Sequence, residues 1–191
     1  VANSTVFGGV AGDAMAQAGT RDGSHADPDR SAIARALDLA FSPIGRPSGD
    51  LPQIRESLME TMWNDVGILR TGEGLARATA ALDGLAAAVM QCGVPEGDRR
   101  YNLTWMDRLN LENLILVSCA VCAAAIARTD SRGAHFREDH PTASDLETSR
   151  YTVVRMRNDE IDIGTEPVAF TRVVPGQTLI KEEPPALHAA S

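Results

Sequence analysis

Apolar residues recur at helical spacing along three long stretches of the chain. Leu51, Ile54, Leu58, Met62 and Val66 fall on one face, and Met59, Trp63 and Leu69 widen it. Steps of three and four residues are the period of an α-helix with one side on a core. The pattern predicts a helix over Leu51–Leu69 with Trp63 in the core, where large residues on such stripes usually lie. Asp50 suits its N-cap, and Pro52 is tolerated in its first turn. Leu75, Ala78, Leu82, Leu85 and Val89 predict a second helix over Thr71–Met90, whose alanines permit close approach to a neighbour. A third helix is predicted over Asp107–Ala127. From Leu114 to Ala127 it carries no charge and is apolar almost all round, so neighbours should cover most of it.

The flanks read differently. Val1–Ala18 is small, apolar and rich in glycine, and Val6, Val10 and Met15 share a helical face. Gly8, Gly9 and Gly12 allow close packing there, at a cost in helix propensity. Ser31–Phe41 predicts a short helix with Ile33, Ala34, Leu37 and Phe41 on one side. Loops follow at Pro43–Gly49 and Cys92–Tyr101. After Pro141, Tyr151–Arg157 reads as a strand, and Asn158-Asp159 as a turn. Ile161–Ile163 and Val168–Val174 suggest two further short strands. Glu182–Ser191, with two prolines and small residues, reads as disordered.

The fold class that follows is mainly α. It is a three-helix bundle, spectrin-repeat-like, with helices before it and a short β-containing tail behind. Composition agrees. Hydrophobic residues make up 43% of the 191 residues but aromatics only 4%, so alanine, leucine and valine must fill the core. A net charge of -8 makes a poor partner for nucleic acid or anionic lipid. The apolar run Leu114–Ala127 is shorter than the ~20 residues a bilayer requires, so no direct membrane span is expected. Three cysteines, an odd number, argue against a disulfide framework. Cys119 and Cys122 form a CxxC, but no second pair completes a tetrahedral metal site, and two small residues on a buried helix account for them. His25 and His188 sit in a loop and the tail and carry no chemistry.

One stretch concentrates polar groups. Ser131–Pro141 places Arg132, His135, Arg137, Glu138 and Asp139 around Gly133, just after the apolar helix. Gly133 can take a positive φ where that helix ends. Each arginine can fork onto a carboxylate. His135 has the chemistry of a proton carrier. The better-supported reading is structural: Arg132, His135, Arg137, Glu138 and Asp139 form a hydrogen-bonded cluster that fixes the helix end.

Ser131–Asp139, SRGAHFRED, resembles the SRGAHxRED signature in the C-terminal part of the flavoprotein subunits of succinate dehydrogenase and fumarate reductase. L-aspartate oxidase, a relative, has a similar element. Glu56–Leu75, ESLMETMWNDVGILRTGEGL, resembles the first bundle helix of that family and the turn after it. Leu109–Leu114 resembles the start of its third helix, and Val6-Phe7-Gly8 its "VFG" element. The resemblance implies an FAD-dependent oxidoreductase that interconverts succinate and fumarate, with electrons passing to or from an iron–sulfur subunit. It implies that Val1 contacts the flavin through its backbone, and that the first helix points its N-terminus at the flavin ring. The substrate arginine would lie before Val1. Residues 1–30 would then end the FAD-binding domain, 31–141 form the bundle, 142–181 an extended tail and 182–191 a disordered end. The chain begins without methionine, as a fragment would, and should be inactive alone. Its expected partners are the N-terminal FAD-binding part of the same protein and an iron–sulfur subunit. The expected location is cytoplasmic or peripheral at the inner face of a membrane. An L-aspartate oxidase-like enzyme and a non-enzymatic helical module or split subunit are the alternatives.

Overall fold

The computed structural model describes residues 2–21, 27–157, 160–171 and 174–177. Val1, His25, the turn at Asn158-Asp159, His188 and the tail 182–191 lie outside them. The chain divides into two units, Val1–Ser42 and Pro43–Ser191. The first holds α1 (Ala2–Arg21) and α2 (Arg30–Phe41). Asp29 caps α2 by accepting from the backbone N–H of Ser31 and Ala32 at 2.9 and 3.1 Å. Val6, Val10 and Met15 are exposed, as are Ile33 and Leu37. The predicted apolar faces exist on both helices, and the unit itself does not bury them.

The second unit is the bundle: α3 (Leu51–Asp65), α4 (Gly72–Gln91) and α5 (Leu103–Ala127). Each helix starts at a residue whose side chain accepts from the first turn. These are Asp50 to Gln53 N, Thr71 to Gly74 N and Asn102 to Trp105 N, at 2.8 to 3.0 Å. The core joins Leu51, Ile54 and Leu58 of α3, Leu75, Ala78, Leu82 and Val89 of α4, and Leu111, Ile115, Cys122 and Ala125 of α5. The mainly α class read from the sequence is the one observed.

Four expectations are corrected. Helix α3 ends at Asp65, not Leu69. Leu69–Arg70 is instead a short strand, β1, paired in parallel with β2 (Phe136–Arg137). Backbone bonding to a distant stretch overrides the helical period here. Trp63 is not core: it is 81% exposed, and Met59 and Leu69 are exposed as well, because α4 and α5 cover only the Leu51–Ile54–Leu58 side of α3. Helix α5 begins at Leu103 rather than Asp107, since Asn102 caps it there. Its middle is less covered than its composition suggests. Leu114, Leu116, Val117 and Val121 are exposed, because two helices and one hairpin cannot enclose an all-apolar cylinder. By length and composition α5 would suffice to cross a membrane, and here it packs on α3 and α4.

The tail forms one antiparallel hairpin, β3 (Arg150–Arg157) with β4 (Glu160–Pro167), in the register Tyr151↔Glu166 to Arg157↔Glu160. A separate strand at Val168–Val174 does not appear at Val168–Phe170, where the chain leaves the ladder. The hairpin packs on α5. On another edge, the loop before α3 runs beside the end of α4, with bridges Ile44↔Val94 and Ser48↔Gly93. A Cβ on Gly93 would sit 2.4 Å from Arg46 Cβ, so only glycine fits there.

Leu82 is 1% exposed and Met59 is 67% exposed. Leu82→Ala is therefore expected to cost about 2–5 kcal/mol, and Met59→Ala about 0.5 kcal/mol or less. Urea unfolding followed by circular dichroism measures both. Equal losses would contradict the core assigned here.

Candidate functional site

The polar stretch after α5 folds back onto two helix ends. Arg137 is buried. Its Nε and Nη2 donate to the two oxygens of Asp139, at 2.7 and 2.6 Å. Its Nη1 donates to the carbonyl of Ala125 at 3.0 Å, and more distantly to those of Ile126 and Arg128. The last carbonyls of a helix lack intrahelical partners and carry partial negative charge, so a cation suits them. Asp139 Oδ2 also accepts from the N–H of Gly72, the first residue of α4, at 2.8 Å. The anion thus meets the positive end of a second helix. The hydrogen bonds from Arg137, and next that from Gly72, hold the Asp139 carboxyl well below the usual carboxylate range. Asp139 in turn raises Arg137.

The loop is closed by its own backbone. Arg132 and His135 exchange N–H···O bonds of 2.8 and 3.1 Å around Gly133, whose φ is +58°. Ser131 is buried, and its Oγ accepts from Arg137 N at 2.9 Å and donates to the His140 carbonyl at 2.7 Å. Glu138 has an exposed side chain, while its N–H donates to the Arg70 carbonyl at 2.8 Å and extends the β1–β2 pairing.

His135 faces the other way. Its Nδ1 lies 2.8 Å from Arg70 Nη1. Arginine keeps its protons, so it donates, Nδ1 accepts, and the ring is neutral with hydrogen on Nε2. Burial lowers the His135 pKa, and the Arg70 charge lowers it further against a weaker opposite pull from the Arg128 carbonyl. Arg132 donates to the Ser144 carbonyl, and Arg128 pairs with buried Asp130 at 2.7 Å. The five residues singled out in the sequence therefore divide. Arg137 and Asp139 join the helix ends, Arg132 and His135 face Arg70 and Arg128, and the Glu138 side chain points to solvent.

Sequence reading missed Arg70, Arg128 and Asp130 as members of this region. Arg70 reaches it only through the β1–β2 pairing. It missed Arg108 too, which is 1% exposed and donates to the Cys92 carbonyl at 2.8 Å and to Glu112 at 2.9 Å. Glu112 is thus not a plain surface residue. The spacing of four between Arg108 and Glu112 was the available signal. Cys122 is buried, and its thiol donates to the Leu75 carbonyl at 3.3 Å.

Removing Arg137 strands buried carbonyls and Asp139. Arg137→Ala is expected to lower stability by about 2–3 kcal/mol, the scale of lost charge-assisted bonds, with Arg137→Lys recovering part of it. Denaturant midpoints test this, and an unchanged midpoint for Arg137→Ala would refute the brace. The pH dependence has a definite sign. A histidine whose folded pKa is lowered leaves the unfolded chain to take up the proton first, so stability is full above about pH 6.5 and falls as pH drops below it. Melting temperatures at pH 7.5 and pH 5.5 should differ less for His135→Gln than for the native chain. A second decline follows through the carboxylate range as Asp139 protonates.

Comparison with known proteins covers most of this architecture. The family model described as fumarate reductase flavoprotein C-term matches residues 55–182, from within α3 through the hairpin. The chain is 30% identical over 183 residues to the fumarate reductase flavoprotein subunit of Mycobacterium tuberculosis (strain ATCC 25618 / H37Rv). That match takes in 90% of this chain and 31% of that protein. It is 33% identical over 108 residues to the L-aspartate oxidase of Streptomyces coelicolor, 56% of this chain and 18% of that one. A chain of the solved Mycobacterium smegmatis Sdh1 complex in its apo form superposes with TM-score 0.62 at 28% identity, over 74% of this chain and 25% of its own length. The chain therefore spans under a third of these relatives. With the signature turn, α4, α5, the hairpin and most of α3 inside the matched region, this chain belongs to the fumarate reductase flavoprotein C-terminal family, shared by succinate dehydrogenase and fumarate reductase flavoprotein subunits.

Proposed function

We propose that this chain is the C-terminal helical part of an FAD-dependent oxidoreductase that interconverts succinate and fumarate. The observation that carries the reading is the family match over residues 55–182. FAD, bound in the intact protein, would supply the hydride acceptor or donor. The described residues do not fit a flavin cradle: α1 is exposed at every residue whose burial is described, and Val1, the proposed backbone contact, lies outside them. The work of these residues is to hold a rigid bundle whose loop after α5 is fixed from both sides. Arg132, His135, Arg137 and Asp139 are structural in this reading, with Glu138 engaged through its backbone. An iron–sulfur subunit is the proposed electron partner, and the N-terminal FAD-binding part the proposed covalent one. The assembly would sit on the cytoplasmic side, peripheral to a membrane through partner subunits.

A second reading is L-aspartate oxidase chemistry, favoured by the 33% identity to such an enzyme. That match stops at 56% of the chain, whereas the fumarate reductase match takes in 90%. The longer match supports the first reading.

The test compares the 191-residue chain with the protein that includes its N-terminal part. Alone, the chain is expected to purify colourless and without turnover. The longer protein is expected to show a flavin absorption spectrum and to exchange electrons between succinate or fumarate and an artificial carrier. Stoichiometric flavin on the chain alone would overturn the division of labour. Oxidation of L-aspartate without succinate or fumarate turnover would establish the second reading instead.

A further inference from the structure

Helices α3 and α5 start side by side, with Pro52 and Leu103 lining one small pocket, and Arg55 of α3 pairs with Asp107 of α5. The two helices therefore run in parallel, and the ion pair marks the side on which they meet. The helical period carries that side onward. From Arg55 it reaches Met59 and Trp63 on α3. From Asp107 it reaches Leu114, Val117 and Val121 on α5. Beyond the ion pair these two rows border one seam, on the side of the bundle away from α4.

Nothing among the described residues covers this seam. Trp63 and Met59 stand out from α3, Val117 is 60% exposed, and Leu114 and Val121 are exposed as well. The apolar residues of α5 recur there at the alternating steps of three and four with which one helix meets another. Contiguous exposed apolar surface of this kind marks an interaction site. The rim has a sign. Glu56 and Glu60 flank Met59 and Trp63 on the outer side of α3, both exposed and neither in an ion pair among the described residues. Across the seam, the exposed polar residues of α5 are the uncharged Asn110 and Asn113. The seam is therefore apolar along its length and acidic along one edge.

We propose that this seam receives one amphipathic helix of a partner polypeptide, its apolar side on Met59, Trp63, Leu114 and Val117 and its basic residues over Glu56 and Glu60. The arriving helix completes a four-helix arrangement, and Trp63 is its anchor, since large aromatic residues dominate contacts of this type. The two carboxylates select the partner. A second copy of this chain would bring the same acidic edge against its own kind, and an anionic lipid surface would meet like charge. The inference rests on the bundle alone and does not depend on the proposed flavin chemistry.

The experiment titrates the full 191-residue chain with a helical peptide of leucine, alanine and lysine, its leucines on one face and its lysines beside them. A peptide with glutamate in place of lysine and a scrambled peptide of unchanged composition are the controls. Heats of binding and tryptophan fluorescence are recorded. Saturable binding of the lysine peptide alone is expected, with a blue shift that the Trp63→Phe chain lacks. Trp63→Ala, at an exposed position, is expected to weaken binding roughly tenfold or more, the scale of an aromatic anchor, at an unchanged melting temperature. Glu56→Lys combined with Glu60→Lys is expected to transfer the preference to the glutamate peptide, a result that stands whether or not Trp63→Ala folds. Equal binding of the scrambled peptide, or native affinity in a folded Trp63→Ala, would overturn the proposal. So would a dimer of the native chain that Trp63→Ala dissolves, which makes the occupant a second copy. A Trp63 already shielded from acrylamide quenching in the longer protein would overturn it too, because the N-terminal part would then be the occupant.

Discussion

Two helix ends of opposite polarity are tied together by one ion pair. The C-terminus of α5 presents unpaired carbonyls to Arg137, and the N-terminus of α4 presents an unpaired N–H to Asp139. The two side chains are forked onto each other, so each charge is answered twice: by its ionic partner and by a helix end. Such an arrangement answers the main objection to burying an arginine, which is the loss of its hydration. Loop geometry follows from it. With Arg137 fixed, Ser131 Oγ can take the Arg137 N–H, the Gly133 turn closes, and Phe136–Arg137 lies where Leu69–Arg70 can pair with it.

A second buried cation works on the same principle at the other end of the bundle. Arg108 donates to the Cys92 carbonyl just past α4 and pairs with Glu112 one turn along its own helix. Both ends of α4 therefore depend on polar groups brought from α5 or the loop behind it. The apolar layer between them, from Leu75 to Val89, is continuous with Leu111, Ile115 and Cys122. The bundle is an apolar middle sealed at each end by an arginine.

Local charge here does not follow net charge. The chain is acidic, yet Arg70, Arg128, Arg132 and Arg150 lie near one another beside the loop, while Glu166 pairs with Arg155 and Asp162 with Arg157 on the hairpin. Composition averages over these separations. It bears on long-range attraction to polyanions and is silent about how charges are sorted over a few ångströms.

The sequence by itself determined the three helices of the bundle, the cap at Asp50, the left-handed Gly133 and the family to which SRGAHFRED belongs. Each is a local property, carried by side-chain period, by a capping residue or by a contiguous motif. Tertiary structure decided what lay across the chain. It ended α3 at Asp65, because strand pairing with Phe136–Arg137 claimed Leu69–Arg70. It left Trp63 and one face of α5 exposed, because periodicity marks an apolar face without saying whether a neighbour covers it. It also sorted the charged turn into the Arg137–Asp139 brace on one side and Arg132 and His135 on the other. That division depends on Arg70 and Gly72, which are distant in sequence and adjacent only once the helices have packed.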